Sequence, residues 1–282
     1  MRVVNQIADV RAAESVEREL GKSIGLVPTM GAFHEGHLSL MRRAREICDV
    51  VIVSVFVNPT QFRAGEDFQK YPRDLRSDCR MAEDVGVDMV FAPSDSEMYP
   101  EGYSTFVDPG KIGKVLEGEL RPGHFRGVAT VVAKLLNIID PDTSFFGMKD
   151  YQQFLVIGNL VRDLNMRTRI VPMPTVREED GLAMSSRNVY LDPEERKAAT
   201  VLHGALGQAR KIYDKGKNSV AALEMAMREA LDREPIAKVD YAVVRDAETL
   251  EHIHIVSRRA VALLAVRIGG TRLIDNYVFG ER

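Results

Sequence analysis

The sequence predicts an α/β protein: a Rossmann-like, doubly wound parallel sheet with a second, smaller α+β domain at the C-terminal end. Three observations carry this. Apolar runs short enough to be strands alternate with longer stretches of helical periodicity as far as about residue 175. The runs are almost continuously apolar, as in strands covered on both faces. Beyond residue 188 the pattern changes, and Asp192, Pro193 and Glu195 supply the N-cap, first-turn proline and capping-box acid of a new helix. The expected domains are residues 1–175 and 176–282.

The first apolar run covers residues 23–29. Leu38, Met41, Ala44 and Cys48 then fall on one helical stripe, and a very apolar run at 50–57 completes a strand, helix, strand unit. A helix is expected over 72–85, a strand over 87–92, a helix over 125–139 and a strand over 143–146. A helix at 151–164 and a strand at 167–171 complete a mostly parallel sheet with helices on both faces. In the C-terminal domain, helices at 193–214 and 219–232 and strands at 239–244 and 260–266 read as a small lid.

Composition narrows the function classes. The 282 residues are 45% hydrophobic and 28% charged with a net charge of −3, an ordinary globular balance without the field that would draw a polyanion, so nucleic acid is not an expected partner. Cys48 and Cys79 form no C-x-x-C pair, and a reducing, cytoplasmic setting is expected. The N-terminal segment carries Arg2, Asp9, Arg11, Glu14, Glu17, Arg18 and Glu19 and does not read as a signal peptide. No run approaches the ~18 apolar residues of a membrane span.

Two segments carry the chemistry. Pro28-Thr29-Met30-Gly31-Ala32-Phe33-His34-Glu35-Gly36-His37 leaves a buried strand and enters a helix, where open α/β sheets place their ligands and a helix start presents free N–H groups to an anion. His34 and His37 project from one side of its first turn, and Gly36 lets a flat base approach the backbone. Capping and zinc binding are the other readings, but zinc lacks further ligands of the right spacing. The second segment is Leu182-Ala183-Met184-Ser185-Ser186-Arg187-Asn188, whose hydroxyls and guanidinium suit phosphate oxygens and a pyrophosphate leaving group. Lys149, after Gly147 at a strand end, could reach a triphosphate as a point charge.

Together these elements resemble the HIGH-type and KMSKS-type signatures of the nucleotidylyltransferase superfamily. The finer resemblance is to the pantothenate synthetase family. It runs through residues 28–38, Phe56-Val57-Asn58-Pro59-Thr60-Gln61-Phe62, Tyr71-Pro72-Arg73-Asp74, Arg121-Pro122-Gly123-His124-Phe125-Arg126-Gly127-Val128, Phe146-Gly147-Met148-Lys149-Asp150-Tyr151-Gln152-Gln153 and residues 184–188, in the family's order. The resemblance implies that Met30, Gly31, Ala32, Phe33, His34, Glu35, Gly36 and His37 line an ATP site, with His37 a proton donor near the triphosphate. It also implies nucleotide contacts from Gly147, Met148, Lys149, Asp150, Val176, Met184, Ser185, Ser186 and Arg187, and pantoate contacts from Gln61 and Gln153. Met148 departs from the family pattern, which more often has Glu or Gln there.

The implied activity is condensation of pantoate with β-alanine through a pantoyl-adenylate, with ATP as substrate, magnesium bridging its phosphates, and a homodimeric assembly. Magnesium ligands in the protein are left unassigned. His34, His37, Lys149 and Arg187 are the expected catalytic groups, with Ser185 and Ser186 assisting. Neutral glutamines leave the pantoate carboxylate nucleophilic, whereas an arginine clamp would blunt it. The rival readings are a nucleotidyltransferase acting on a phosphorylated acceptor, which would call for arginines in the acceptor pocket, and a nonenzymatic nucleotide sensor. A tRNA synthetase is disfavoured, since an anticodon-binding domain is not expected within these 282 residues and the net charge of −3 is slightly acidic. Asp74 and Asp78 read as a solvated helix face, with magnesium binding as the alternative, and Arg121, His124 and Arg126 as a basic cluster that caps a helix start electrostatically or contacts phosphate. Asn58 reads either as strand termination or as a contributor to the pantoate pocket, and His203, His252 and His254 as ordinary structure.

Overall fold

A computed structural model describes Met1–Gly280. In chain order the elements are β1 (Arg2–Val4), α1 (Ile7–Glu19), β2 (Ile24–Thr29), α2 (Glu35–Ile47), β3 (Val50–Val55), α3 (Leu75–Asp84), β4 (Met89–Phe91), α4 (Asp95–Met98), α5 (Glu117–Leu120), α6 (His124–Ile139), β5 (Thr143–Gly147), α7 (Tyr151–Asp163) and β6 (Arg169–Met173). There follow α8 (Pro193–Ala198), α9 (Val201–Asp214), α10 (Val220–Leu231), β7 (Ala237–Asp246), β8 (Ala260–Ile268) and β9 (Thr271–Phe279). The chain divides into two compact units: Met1–Met148 with Gln152–Pro174, and Lys149–Tyr151 with the residues from Thr175 onward.

The first unit is the expected doubly wound sheet, six parallel strands in the order β1-β4-β3-β2-β5-β6. Val27, Val51, Val53 and Val90 share one apolar cluster with Leu40, Met41 and Ala44 of α2 and Ala82 of α3. The right-handed rule for parallel crossovers puts α6 on the opposite face, and its residues are buried except around Arg126, Lys134 and Asn137. The strand order turns about β2, whose successor β3 lies on one side while β5 lies on the other. β2 and β3 pair over six positions, but β2 and β5 only at Gly25/Thr143 and Leu26/Ser144. The two strands therefore part toward their C-terminal ends and open a crevice at the topological switch point.

β1 and α1 are absent from the sequence reading. β1 has three residues, and Gln6, the N-cap of α1, supplies no side-chain cap. The first turn of α1 is capped from a distance instead, as Ile7 N–H donates to the Glu97 carboxylate at 2.8 Å.

In the second unit, β7, β8 and β9 form an antiparallel sheet in sequential order. Leu202, Leu206, Leu223 and Met227 of α9 and α10 share a core with Ala242, Leu264, Leu273 and Phe279 of the strands. The expected helix over 193–214 is two helices. At the break the Lys197 carbonyl accepts from both the Thr200 N–H at 3.3 Å and the Thr200 hydroxyl at 2.8 Å. The N-terminus of α8 carries the expected capping box of Asp192 and Glu195. β9 is an addition to the expected elements; it follows β8 through Gly269-Gly270, and a Cβ at Gly269 would lie 1.6 Å from Glu195 Oε1. Among the described residues no helix is long and apolar enough to cross a membrane.

Candidate active site

Within the first unit the segment after β2 is a tightly held turn at the mouth of the crevice. Thr29 Oγ1 donates to Ser54 O at 2.7 Å and accepts from Gly31 N–H at 3.1 Å. Gly31 and Ala32 then adopt φ of +82° and +54°, and the left-handed turn is locked by Asp78 of α3. The Asp78 carboxylate accepts from Ala32 N–H at 2.9 Å and from Phe33 N–H at 2.8 Å. A Cβ at Gly31 would stand 2.8 Å from Asp78 Oδ2, so only glycine fits. Asp78 is 2% exposed, which corrects its reading as a solvated helix residue. Burial pushes its carboxyl above the usual carboxylate range, partly offset by the two amides. Asp74 is the N-cap of α3 and accepts from Ser77 N–H at 2.9 Å.

His34 and His37 form a capping box at the start of α2. His34 Nδ1 accepts from Gly36 N–H at 3.1 Å, and His37 Nδ1 accepts from His34 N–H at 3.4 Å. A ring nitrogen that accepts carries no proton, so each imidazole is set with Nε2 as its N–H side. The rings lie 4.1 Å apart between centroids. Capping and ligand recognition, alternatives in the sequence, are thus compatible: one nitrogen caps and the other is directed elsewhere.

Gln61 is 9% exposed and held from three sides. Its Oε1 accepts from Asn58 Nδ2 at 3.0 Å, and its Nε2 donates to the thioether of Met30 at 3.1 Å. Asn58, 1% exposed, also donates to Gly127 O at 3.2 Å and accepts from the Tyr99 hydroxyl at 2.8 Å. Burial raises the Tyr99 phenol to about 12, so it remains a donor. The backbone carbonyl of Gln61 accepts from His124 Nδ1 at 2.9 Å, while Arg121 meets His124 Nε2 at 3.2 Å and Glu66 at 2.7 Å. Burial and then Arg121 lower the His124 imidazole to about 4, keeping it neutral.

The basic-cluster reading of Arg121, His124 and Arg126 is therefore corrected. Arg121 pairs with Glu66, His124 is a buried neutral strut, and the Arg126 guanidinium stacks 3.8 Å from the Phe106 ring centroid. Asn58 is likewise more than a strand terminator. Of the neighbouring glutamines on α7, Gln152 is consumed structurally: it accepts from Glu117 N–H at 3.2 Å and donates to Ile112 O at 2.7 Å and Val115 O at 2.8 Å. Gln153 is half-buried and makes none of those bonds. At the end of β5, a Cβ on Gly147 would meet nothing within 4 Å.

In the second unit, residues 176–184 form a hairpin, with Met184 N–H donating to Val176 O at 3.0 Å and Glu178 N–H to Leu182 O at 2.9 Å. Its turn uses Gly181 at φ +93°, where a Cβ would lie 2.3 Å from the His203 ring. His203 thus closes on this turn. The hairpin delivers Ser185, whose Oγ accepts from Arg187 N–H at 3.3 Å and starts a short 3-10 turn over Ser186–Tyr190. Arg177 on the hairpin makes a bidentate pair with Asp275 of β9 at 2.6 and 2.9 Å. The carbonyl of Lys149 accepts from Asn276 Nδ2 at 2.8 Å, and the Lys149 ammonium lies 3.9 Å from Asp150.

The model of the pantoate-beta-alanine ligase family matches residues 2–278. The chain belongs to this family. Among its pantothenate synthetase relatives, that of Heliobacterium modesticaldum is 53% identical over 99% of both chains, and that of Roseiflexus sp. 55% over 99% of both. A crystal structure of pantothenate synthetase from Thermus thermophilus superposes with a TM-score of 0.93 at 47% identity, covering 98% of this chain and 99% of that one. The pantoate-beta-alanine ligase of Francisella tularensis, complexed with beta-gamma ATP and β-alanine, gives 0.80 at 37% identity over 99% and 97%. The ligase family accounts for the motif order noted in the sequence. It leaves Asp78, His124, Asp275 and Asn276, none of which the motifs assign a part in the site, to be explained by the structure. For Asp78 a signal existed: with Ala82 it occupies the inward stripe of α3, where a charged side chain needs partners.

Proposed function

We propose that the protein joins pantoate to β-alanine in an ATP-dependent ligation with a pantoyl-adenylate intermediate. The observation that carries this reading is Gln61: a buried amide donor at the crevice whose acceptor side is committed to Asn58 and whose N–H rests on a thioether. Sulfur is a weak acceptor, so an oxygen of a hydroxy acid would replace it with gain. Arg121, the guanidinium that reaches Gln61 O, is paired with Glu66, which leaves the arrangement suited to an unphosphorylated acid.

In the proposed reaction a pantoate carboxylate oxygen forms a bond to the α-phosphorus of MgATP as the bond to pyrophosphate breaks. The β-alanine amine then attacks the acyl carbon, and AMP departs as the amide forms. His34 and His37, each with Nε2 as its N–H side, together with Lys149, Ser185, Ser186 and Arg187, stabilise charge on the triphosphate in the first step. Gly147, Met148, Asp150 and Val176 serve the nucleotide and Gln153 the pantoate. Magnesium is proposed to enter with ATP: both oxygens of Asp78, the carboxylate at the turn, accept backbone amides. The residues from 176 onward are assigned the shielding of the mixed anhydride from water. A cytoplasmic homodimer is the proposed setting, which sedimentation of the purified protein checks.

With β-alanine withheld, the enzyme should exchange labelled pyrophosphate into ATP only when pantoate is present. His37→Ala should lower that exchange by about two orders of magnitude while sparing amide formation from presynthesised pantoyl-adenylate. ADP in place of AMP, or exchange without pantoate, would overturn the reading.

A further inference from the structure

Two neighbouring polar residues on β9 are buried and lie outside every recognised motif. Asp275 is 2% exposed and Asn276 is 7% exposed. Along β9 the odd-numbered Leu273, Tyr277 and Phe279 belong to the core built with α9 and α10, so strand alternation sends Asp275 to that side and Asn276 to the other. Each holds a different segment of the second unit. Asp275 grips Arg177 through both oxygens, and Arg177 is bridged to Ala183 on the hairpin leading into Ser185, Ser186 and Arg187. Asn276 donates from Nδ2 to the main-chain carbonyl of Lys149. The two anchors are themselves joined, since Asn276 N–H donates to Asp275 Oδ1 at 2.8 Å. The far end of the Lys149 segment is fixed too, because the Tyr151 hydroxyl donates to Ala247 O at 2.8 Å.

We propose that Asp275 and Asn276 are positioning residues for the adenylation step, setting Lys149 and the Ser185–Arg187 loop in fixed register on one strand. The inference rests on the proposed roles of Lys149 and Arg187. The Lys149 carbonyl is clamped by the Asn276 amide, which fixes the backbone position from which the lysine side chain starts. Charge on a leaving pyrophosphate is stabilised by groups in fixed places, and an error of about 1 Å in such a group can lower a rate about 100-fold. Amide formation from the adenylate releases no pyrophosphate and should not depend on this register.

The test uses the full chain with Asn276→Ala and the isosteric Asn276→Asp, which keeps the shape but loses the donor. Pyrophosphate exchange should fall about 10- to 100-fold in both, with rates of amide formation from presynthesised pantoyl-adenylate within about 3-fold of wild type. In a Lys149→Ala background, where exchange is already impaired, Asn276→Ala should add less than about 3-fold, because its effect passes through the lysine. Equal losses in both half-reactions, or unchanged exchange in Asn276→Asp, would overturn the proposal by showing a structural role or none. Full additivity with Lys149→Ala would overturn the route through Lys149. Wild-type exchange in Lys149→Ala alone would instead remove the role of Lys149 on which the inference rests.

Discussion

Asp78→Asn tests whether the turn after β2 is held for the nucleotide by a carboxylate that never meets the metal. The wild-type carboxylate accepts two amide hydrogen bonds, at 2.9 Å from Ala32 and 2.8 Å from Phe33. Hydrogen bonds to a charged group are worth about 1.5 to 3 kcal/mol each. They oppose a left-handed Ala32, which costs about 1 to 2 kcal/mol. Asparagine keeps one acceptor and sets an NH2 against the other amide, a loss of about 1 to 3 kcal/mol that is comparable to the strain being restrained. The turn should then relax, and the KM for MgATP in pyrophosphate exchange should rise about 5- to 100-fold. Asp78→Ala should be worse. The assay is exchange measured across a matrix of ATP and magnesium concentrations. A turn holder raises the ATP requirement at every magnesium level, whereas a metal ligand shifts the magnesium requirement. An unchanged KM for ATP with a shifted magnesium dependence would refute the argument. The pH dependence adds a sign: burial raises the Asp78 pKa, so protonation at acid pH converts one acceptor into a donor and weakens ATP binding. The same raised pKa means the folded protein gains the proton first, so this group does not lose stability there.

Three further outcomes are expected. Gly127→Ala would put a Cβ 2.3 Å from Thr60 O and 2.7 Å from Gln61 N, so it should cost about 1 to 3 kcal/mol in a denaturation curve and raise the KM for pantoate more than that for ATP. Gly147→Val adds its side chain toward open space, so the melting temperature should hold while ATP affinity falls; a fall in stability alone would remove Gly147 from the nucleotide site. The third is linkage through His124, lowered to about 4 by burial and Arg121. With an unfolded value near 6.5, the stability it contributes is present above pH ~6.5 and is lost as pH falls toward ~4, up to about 3 kcal/mol. His124→Gln should flatten that part of the stability profile, and an unchanged profile would show that the imidazole does not titrate as described.

The first unit was legible because its central strands are buried on both faces. Runs such as residues 50–55 have no polar face to confuse the period, and the helices between them carry clear stripes. Legibility failed where the deciding contact is remote. α1 has only Val10 fully buried and takes its cap from Glu97, 90 residues away, so no local signal announces it. β9 was obscured by Arg272, Asp275 and Asn276, which interrupt its apolar alternation. The Gly269-Gly270 pair after an apolar run was nonetheless a hairpin signal of the usual kind.

The residues of the candidate site divide along a related line. Groups expected to meet the substrates, such as His37, Gln61 and Lys149, lie in compact motifs because reacting atoms must gather on a few adjacent turns. The groups that hold them are spread through the chain: Asp78 is 46 residues from Ala32, His124 is 63 from Gln61, and Asn276 is 127 from Lys149. A hydrogen bond to a backbone carbonyl or amide asks only for one polar atom in one place, so it imposes no spacing and no particular neighbours. What it does impose is burial. A carboxylate or imidazole taken out of water must find partners, and Asp78, His124 and Asp275 each do so on a segment proposed to carry chemistry. Buried polar residues to which the motifs assign no part are therefore where a sequence of this kind conceals the groups that aim its reactive ones. Their loss should appear as a change in one half-reaction before it appears as a change in fold.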